Sequence, residues 1–221
     1  MGLRLRDNLH WCVSGGRAVF LDIEADRYFC LPATVEAAFL RFAAGEGLPG
    51  DPARLTALVA GGLLVDSPET EPVAAAAAIE APRRDFLEPP VPRPRAGDLV
   101  RALVLELRWA WRLKRQTLCE IAALLEGRGR APEVAGASEA RVSRIVSAWS
   151  ASGLILPAAD RCLVRALALQ ECCARQGIRA RLVLGVRMNP FRAHCWVQLG
   201  DQVLVGDFEQ VRLFTPIAAL G

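Results

Sequence analysis

The chain has 221 residues and a formal net charge of +3, with 52% hydrophobic and 23% charged residues. This composition is typical of a globular protein with ample apolar material for a core, and it excludes a wholly disordered or collagen-like chain. No uncharged run approaches the roughly 20 apolar residues that cross a bilayer, and the N-terminus lacks the apolar segment of a signal peptide. We therefore expect a cytoplasmic protein that does not insert into a membrane.

Charge is distributed unevenly along the chain. Residues 1–80 carry 6 basic residues against 11 acidic ones, whereas residues 99–221 carry 17 basic residues against 10 acidic ones. Between them, residues 81–98 are rich in proline, which removes backbone donors and disfavours helix. This pattern predicts two domains, 1–80 and 99–221, joined by a semi-rigid, Pro-rich linker over 81–98.

The first domain begins with strand patterns and continues with helix patterns. Apolar runs predict strands at 10–13, 18–23 and 27–31, helices over 33–44 and from residue 51 onward, and a last short strand at 63–65. This order is that of a small winged-helix-like domain. Its acidic balance argues against nucleic acid, because phosphates would repel it. Two alternatives stay open: a peptide-binding module with a strand edge and an apolar groove, and a small scaffold that binds nothing.

The cysteines and histidines limit the metal and disulfide chemistry of the chain. There are 7 cysteines and 2 histidines, and no Cys-x-x-Cys pair occurs. Neither a disulfide framework nor a structural zinc site is therefore predicted, and we expect no metal and no cofactor. Most of the cysteines are expected to be small core residues. They are Cys12, Cys30, Cys119, Cys162, Cys172, Cys173 and Cys195.

Cys162 lies at the predicted start of a helix in the second domain. Asp160 is a good N-cap, apolar residues follow at helical spacing, and Gly177 is the stop signal. Backbone N–H groups and the helix dipole in a first turn favour a thiolate. Cys172 and Cys173 lie more than two turns further on, outside that field. Taken alone, a cysteine at a helix start is more often structural than catalytic.

A predicted hairpin further along the chain brings a histidine close to an aspartate. The dipeptide Gly200-Asp201 suits a two-residue turn, which pairs Leu199 with Gln202. Counting from that pair puts His194 directly opposite Asp207, with their Cβ atoms roughly 4.5–5.5 Å apart. An aspartate at that spacing can orient an imidazole, although a β-bulge would shift the register. With Cys162, these residues supply the nucleophile, base and orienting group of a thiol acyl-transfer enzyme.

The same part of the chain carries a family resemblance. The residues that carry it are Arg161-Cys162-Leu163, Leu184-Gly185-Val186, the run from Pro190 to Val197, Asp207 and Phe214-Thr215-Pro216. With them, roughly residues 97–221 resemble the lasso-peptide biosynthesis B proteins, whose peptidase half is related to transglutaminase-like and papain-like enzymes. Residues 1–80 resemble the PqqD-like recognition element that such proteins carry at the N-terminus. The implied fold class is α+β, with an N-terminal winged-helix-like domain and a C-terminal transglutaminase-like cysteine peptidase domain.

One residue departs from the family pattern. Cys195 stands where the family usually has alanine, directly after His194. Because side chains alternate along a strand, we expect Cys195 to point to the opposite face from His194. It is therefore not expected to replace Cys162 as the nucleophile.

The resemblance implies removal of the leader peptide from a ribosomally made lasso-peptide precursor. The Cys162 thiolate would attack the scissile carbonyl, His194 would protonate the leaving amine and then activate water, and Asp207 would fix the imidazole tautomer. The implied partners are the leader region of the precursor and a separate asparagine-synthetase-like cyclase, which closes the macrolactam on the freed amino terminus.

The resemblance also implies how the leader is held, by strand addition to an edge strand beside an apolar groove. The edge residues would be Tyr28, Phe29, Cys30 and Leu31, and the groove residues Leu55, Leu58 and Val59. The alternative is that the chain's own strand at 63–65 covers this edge.

Two other functions are compatible with the same residues. One is acyl transfer to an amine, as in a transglutaminase or an arylamine acetyltransferase. The other is a non-catalytic protein that only presents the leader, although a complete Cys-His-Asp set argues against it.

Overall fold

Strands form the two ends of the chain and helices most of its middle. The computed structural model describes residues 2–46, 50–68, 79–87, 91–129, 139–156 and 161–221, so Asp160 lies outside the described residues. The strands are β1 (Gly2–Leu5), β2 (Leu9–Ser14), β3 (Arg17–Asp22), β4 (Arg27–Cys30), β5 (Leu64–Ser67), β6 (Arg84–Asp85), β7 (Arg181–Arg187), β8 (Arg192–Leu199), β9 (Gln202–Val205) and β10 (Thr215–Leu220). The helices are α1 (Ala33–Ala43), α2 (Asp51–Ala60), α3 (Ala96–Arg112), α4 (Leu118–Gly129), α5 (Glu139–Ile155), α6 (Cys162–Ala174) and α7 (Phe208–Val211). None of the helices described is long and apolar enough to cross a membrane.

An antiparallel sheet with the order β2-β3-β4 is the centre of the N-terminal half. The turn between β2 and β3 is Gly15-Gly16, where φ is +57° and +76°, a conformation that glycine adopts without strain. One face of the sheet packs against α1, and the rings of Trp11 and Phe20 meet Phe39 edge-on at 4.9 and 5.0 Å. The strand and helix order agrees with the sequence pattern, and a winged-helix-like identity for this half stays a prediction.

The strand β5 does not cover the edge of this sheet. It pairs antiparallel with β1 instead, with Leu64 opposite Leu5 and Ser67 opposite Gly2. Within the described part of the chain, β4 pairs with β3 alone. The alternative in which the chain's own short strand shields β4 is therefore wrong.

A second sheet, with the order β10-β7-β8-β9-β6 among the described strands, organises the C-terminal half. The helix α6 packs against β7, β8 and β9, and α3 and α5 pack against α6 in turn. Three tryptophans are fully buried here: Trp109 on α3, Trp149 on α5 and Trp196 on β8. The strand β8 is thus central in its sheet and lies directly beneath α6.

The two halves share one hydrophobic core. Its buried residues include Cys12, Val19 and Leu21 from the N-terminal sheet together with residues of α3 to α6 and of the C-terminal sheet. Alternation along the strands explains this, because Phe29 packs with α1 whereas its neighbour Tyr28 packs against the shared core. The N-terminal sheet is therefore covered on both faces, by its own helix on one side and by the C-terminal half on the other.

Two parts of the predicted linker belong to regular elements in the structure. Residues 84–85 form β6, which pairs parallel with β9 at the edge of the C-terminal sheet. The backbone N–H groups of Arg83 and Phe86 donate to the carbonyl oxygens of Asp201 and Val203, each at 2.8 Å. The exposed edge of β9 offers unpaired backbone groups, and this segment satisfies them. Helix α3 already begins at Ala96, and residues 88–90 lie outside the described residues.

Candidate active site

Cys162 is the first residue of α6, as the helix-start prediction requires. Arg161 occupies the N-cap position with φ −114° and ψ 16°, and it makes no side-chain capping hydrogen bond. The body of the helix is buried from Ala166 to Cys173, so its packing fixes where the first turn lies. Cys162 itself is only partly buried, which leaves its thiol accessible at the end of a rigid helix.

Three donors meet at the Cys162 sulfur. They are the thiol of Cys195, the imidazole of His194 and the backbone N–H of Cys195. The hydrogen bond from the Cys195 thiol and then the one from His194 lower the pKa of Cys162 from 9.0 to about 4, against the raising effect of burial. Cys162 is therefore a thiolate at neutral pH, the form in which cysteine acts as a nucleophile.

The position of Cys195 creates a contact that the sequence did not predict. Cys195 does face away from His194, but the face it occupies is the one covered by α6, where it joins the shared core and contacts Cys162. Its thiol is buried, and the hydrogen bond with Cys162 followed by burial raises its pKa well above 9.0. The expected face is therefore the one that Cys195 occupies, and what the sequence did not predict is that α6 packs on this face and brings Cys162 to it. Sequence alternation alone gives the face but not what covers it.

His194, which reaches the Cys162 sulfur, also lies among aromatic rings. Its ring is 5.2 Å from that of Phe214 and 6.5 Å from that of Trp196. Across the sheet, His194 pairs with Gly185 of β7. A Cβ atom at Gly185 would lie 2.6 and 2.8 Å from two carbons of the Trp196 indole, so a side chain there would displace the ring beside the histidine.

A buried polar chain continues along the same face of β8. The indole Nε1 of Trp196 donates to Oε1 of Gln198 at 3.0 Å. The Gln198 side-chain nitrogen in turn donates to the carbonyl oxygens of Glu80 and Gly200 at 2.6 and 2.7 Å. These bonds fix Trp196 and tie residue 80 to the sheet. The sequence reasoning missed them, although a glutamine two residues after a tryptophan on one strand face is a signal for such a pair.

Asp207 is not directly opposite His194 in the structure. The pairs next to the turn follow the prediction, with Leu199 opposite Gln202 and Gln198 opposite Val203, but a register shift then places Val197 opposite Val205. The strand β9 ends at Val205, and Asp207 becomes the exposed N-cap of α7. The predicted cross-strand opposition is therefore wrong, and the physical cause is the β-bulge between Val197 and Gln198.

The Asp207 carboxylate has local partners. Its Oδ1 accepts a hydrogen bond from the backbone N–H of Glu209 at 2.9 Å. Next to it, Oδ1 of Asp85 accepts from the backbone N–H of Phe208 at 3.1 Å. Burial, and then the charges of Asp207 and Glu209, raise the pKa of Asp85. Within the described residues, no hydrogen bond joins Asp207 to His194, so a catalytic role for Asp207 stays a prediction from the family resemblance.

The predicted leader-binding residues separate into two groups. Tyr28 packs against the shared core and lies 5.6 Å, ring to ring, from Phe191 in the loop before β8. Burial, followed by the neighbouring Cys195, Asp26 and Cys162, raises the pKa of Tyr28 to about 12. Tyr28 and its neighbour Cys30 therefore face the side of the sheet on which Cys162 lies.

The other group faces the N-terminal core. Its members are Phe29, Leu31, Leu55, Leu58 and Val59, which pack in the cluster around Trp11 and Phe39. Leu58 and Leu31 are only 5% and 6% exposed, so both are core residues. The structure thus brings Tyr28 to the candidate active site and keeps the predicted groove residues away from it.

Metal binding has no support in the part of the chain that the structure describes. Within those ranges, no group of three or more histidine, cysteine, aspartate or glutamate side chains is placed to hold a metal ion.

Comparisons with known proteins agree with the geometry of the C-terminal half. The family model described as "Transglutaminase-like superfamily" matches residues 103–219, which is more than half of the chain. A curated relative, the microcin J25-processing protein McjB of Escherichia coli, is 44% identical over 43 residues, or 20% of this chain. The match spans 21% of that protein's length, about a fifth. No solved structure matches the chain.

Proposed function

Because the chain belongs to the transglutaminase-like superfamily, whose members are usually cysteine-dependent enzymes, we propose that it is a cysteine peptidase. Its substrate is the ribosomally made precursor of a lasso peptide, from which it removes the leader. The short match to a microcin J25-processing protein supports this substrate class. The product is a core peptide with a free amino terminus, which a separate asparagine-synthetase-like cyclase then uses in the cytoplasm to form the macrolactam.

The observation that carries the proposal is the contact of the Cys162 sulfur with His194. A thiolate held against an imidazole is the pair that thiol acyl transfer requires. The thiolate attacks the scissile carbonyl carbon, and His194 gives a proton to the amine as the peptide bond breaks. The leader then remains as a thioester on Cys162. His194 next removes a proton from water, which attacks the thioester and releases the leader as a carboxylic acid.

Two further groups are assigned to this mechanism. The backbone N–H of Cys162, at the start of α6, is one donor to the oxyanion that forms on the carbonyl oxygen. Asp207 orients the imidazole of His194, since it follows β9, the strand that pairs with β8. Asp85, whose carboxylate also borders α7, is the matched control for Asp207. Replacing Asp207 with asparagine lowers kcat under this assignment, whereas a loss confined to Asp85→Asn contradicts it.

The leader is captured on the N-terminal half, which we propose acts as a PqqD-like recognition element. The strand β4 is an edge strand in the described sheet, and an edge offers unpaired N–H and C=O groups to an added peptide strand. Tyr28 of that strand lies beside the Phe191 loop that leads into β8. A leader paired with β4 therefore continues toward Cys162. The residues predicted to form an apolar groove, Leu55, Leu58 and Val59, pack in the N-terminal core instead.

The test uses the full chain and candidate lasso-peptide precursors, chosen from the short open reading frames that neighbour its gene. Mass spectrometry of the reaction is expected to show free leader, ending in a carboxylic acid, together with the intact core. Cys162→Ala is expected to abolish release while leader binding persists. Cys172→Ala, which removes a buried thiol of the same helix, is the matched control and retains turnover.

Three outcomes contradict the proposal. Incorporation of an added amine into the leader, in place of hydrolysis, favours the transglutaminase or acyltransferase alternative. Binding of the precursor with no cleavage favours a non-catalytic protein that presents the leader. Unchanged cleavage by Cys162→Ala removes the nucleophile from the mechanism.

A further inference from the structure

A second thiol lies against the candidate nucleophile. Cys195 on β8 is part of the buried shared core, Cys162 at the start of α6 packs against that core, and α6 lies on β8. The two thiols interact directly, and both cysteines are free. In the hydrolytic mechanism the Cys195 thiol only stabilises the Cys162 thiolate, because His194 carries out the proton transfers. A dithiol pair built from a reactive thiolate and an adjacent buried thiol has a chemistry of its own.

We propose that Cys162 and Cys195 form a reversible disulfide when the protein meets a hydroperoxide, with Cys195 as the resolving thiol. The proposal goes beyond peptide cleavage and holds for any reaction that Cys162 performs. The disulfide blocks the nucleophile while it persists. It also prevents oxidation of Cys162 to the sulfinic acid, which thiols do not reverse.

The reaction balances in two steps. The Cys162 thiolate attacks one oxygen of hydrogen peroxide, the O–O bond breaks, and Cys162 becomes a sulfenic acid as hydroxide leaves. The Cys195 sulfur then attacks the sulfenic sulfur, the S–O bond breaks, and the Cys195 proton leaves with the hydroxyl group as water. Two electrons pass from the two sulfurs to the peroxide, and a dithiol reductant returns them.

The burial of the two cysteines indicates which sulfur moves when the disulfide forms. Cys195 is buried at 5% exposure on β8, which has β7 and β9 on its two sides, so its position is rigid. Cys162 is partly buried at the first position of α6, and its N-cap Arg161 makes no side-chain capping bond. A disulfide requires the sulfurs to approach to about 2.0 Å. The first turn of α6 is therefore the element that closes the gap.

The other cysteines are poorly placed to resolve Cys162. Cys172 and Cys173 are buried in the third turn of the same helix. Cys12 and Cys30 lie on β2 and β4, each opposite Val19 of the strand between them. Only the Cys195 thiol makes a hydrogen bond to Cys162 among the described cysteines.

The experiment exposes the full chain to hydrogen peroxide and maps the thiols by mass spectrometry. The wild-type protein is expected to become two hydrogens lighter, with a disulfide-linked peptide pair that contains Cys162 and Cys195. Dithiothreitol restores the Cys162 thiol almost completely. In Cys195→Ala, Cys162 is expected to gain two oxygen atoms as the sulfinic acid, and dithiothreitol recovers little of it.

Cys172→Ala, which removes a buried thiol of the same helix, is the matched control and behaves as the wild type. The wild-type mapping needs no variant, so the proposal stays testable if Cys195→Ala folds poorly. A disulfide that joins Cys162 to another cysteine overturns the proposal. Accumulation of the Cys162 sulfinic acid in the wild type, as fast as in Cys195→Ala, overturns it as well. Neither result bears on peptide cleavage, which is measured separately in reduced protein.

Discussion

The protonation state of Cys162 gives the sharpest test of the site. Its pKa lies at about 4 instead of 9.0. A thiol with the ordinary value is only roughly 1% ionised at pH 7, whereas a group with a pKa near 4 is ionised almost completely. Because only the thiolate reacts with iodoacetamide, the rate of Cys162 alkylation reports this fraction directly.

The expected profile follows from the sign of the shift. A lowered pKa keeps Cys162 charged throughout the neutral range, so its alkylation rate constant is expected to be flat from pH 6 to pH 8. An unperturbed thiol would gain roughly 100-fold over the same two pH units, since its thiolate fraction rises tenfold per unit. Peptide mapping separates the alkylation of Cys162 from that of the other cysteines.

The variant Cys195→Ala identifies the cause of the shift. It removes the hydrogen bond that lowers the pKa most and leaves those of His194 and of the residue-195 backbone N–H. The pKa of Cys162 is expected to rise only part of the way toward 9.0, and the rate to become pH-dependent at its acidic end. Cys172→Ala, the control, keeps the flat profile. A wild-type rate that climbs tenfold per pH unit between pH 6 and pH 8 would refute the reasoning.

Three further predictions concern packing, leader capture and the shared core. Gly185→Ala places a Cβ atom against the buried ring of Trp196 and is expected to lower the free energy of unfolding, measured in urea, by about 1–3 kcal/mol. Gly97→Ala, whose added Cβ atom meets no neighbour, is the control and is expected to cause no loss of stability. If the leader pairs with β4, N-methylation of alternate leader amides is expected to weaken binding, and unchanged affinity at every position contradicts strand addition. The variant Leu58→Glu is unsuitable as a test of leader binding, because Leu58 is a core residue. A fragment of residues 99–221 is expected to lose cooperative unfolding, because its core lacks the apolar face of the N-terminal sheet. An unfolding transition as sharp as that of the full chain would show that the two halves fold independently.

Local sequence signals predicted the elements near the active site well. The turn at Gly200-Asp201 was expected to pair Leu199 with Gln202, and that pair is confirmed. Cys162 lies in the first turn of its helix as expected, although the N-cap residue is Arg161 and not the predicted Asp160. Both successes depend on chemistry within a few residues, namely the φ preference of glycine and the helical spacing of apolar residues.

The failures arise where distant parts of the chain meet. The bulge at Val197 depends on how β8 fits between its neighbours, and it moves Asp207 out of register with His194. The contact between Cys195 and Cys162 depends on where α6 lies over the sheet. The pairing of β1 with β5 and the docking of β6 on β9 join segments that are far apart in sequence. Periodicity within a single element contains no information on any of these contacts.

The shared core changes how capture and catalysis are connected under the proposed function. A flexible linker between two domains would raise the local concentration of the leader near Cys162 without fixing its direction. Here the N-terminal sheet is packed against the C-terminal half, and Tyr28 of its edge strand contacts the Phe191 loop before β8. A peptide strand added to β4 therefore enters the site with a fixed direction and register. The distance along the leader from the β4 contact to the cleaved bond is then set by the fold, and lengthening the leader between these points moves the wrong bond to Cys162.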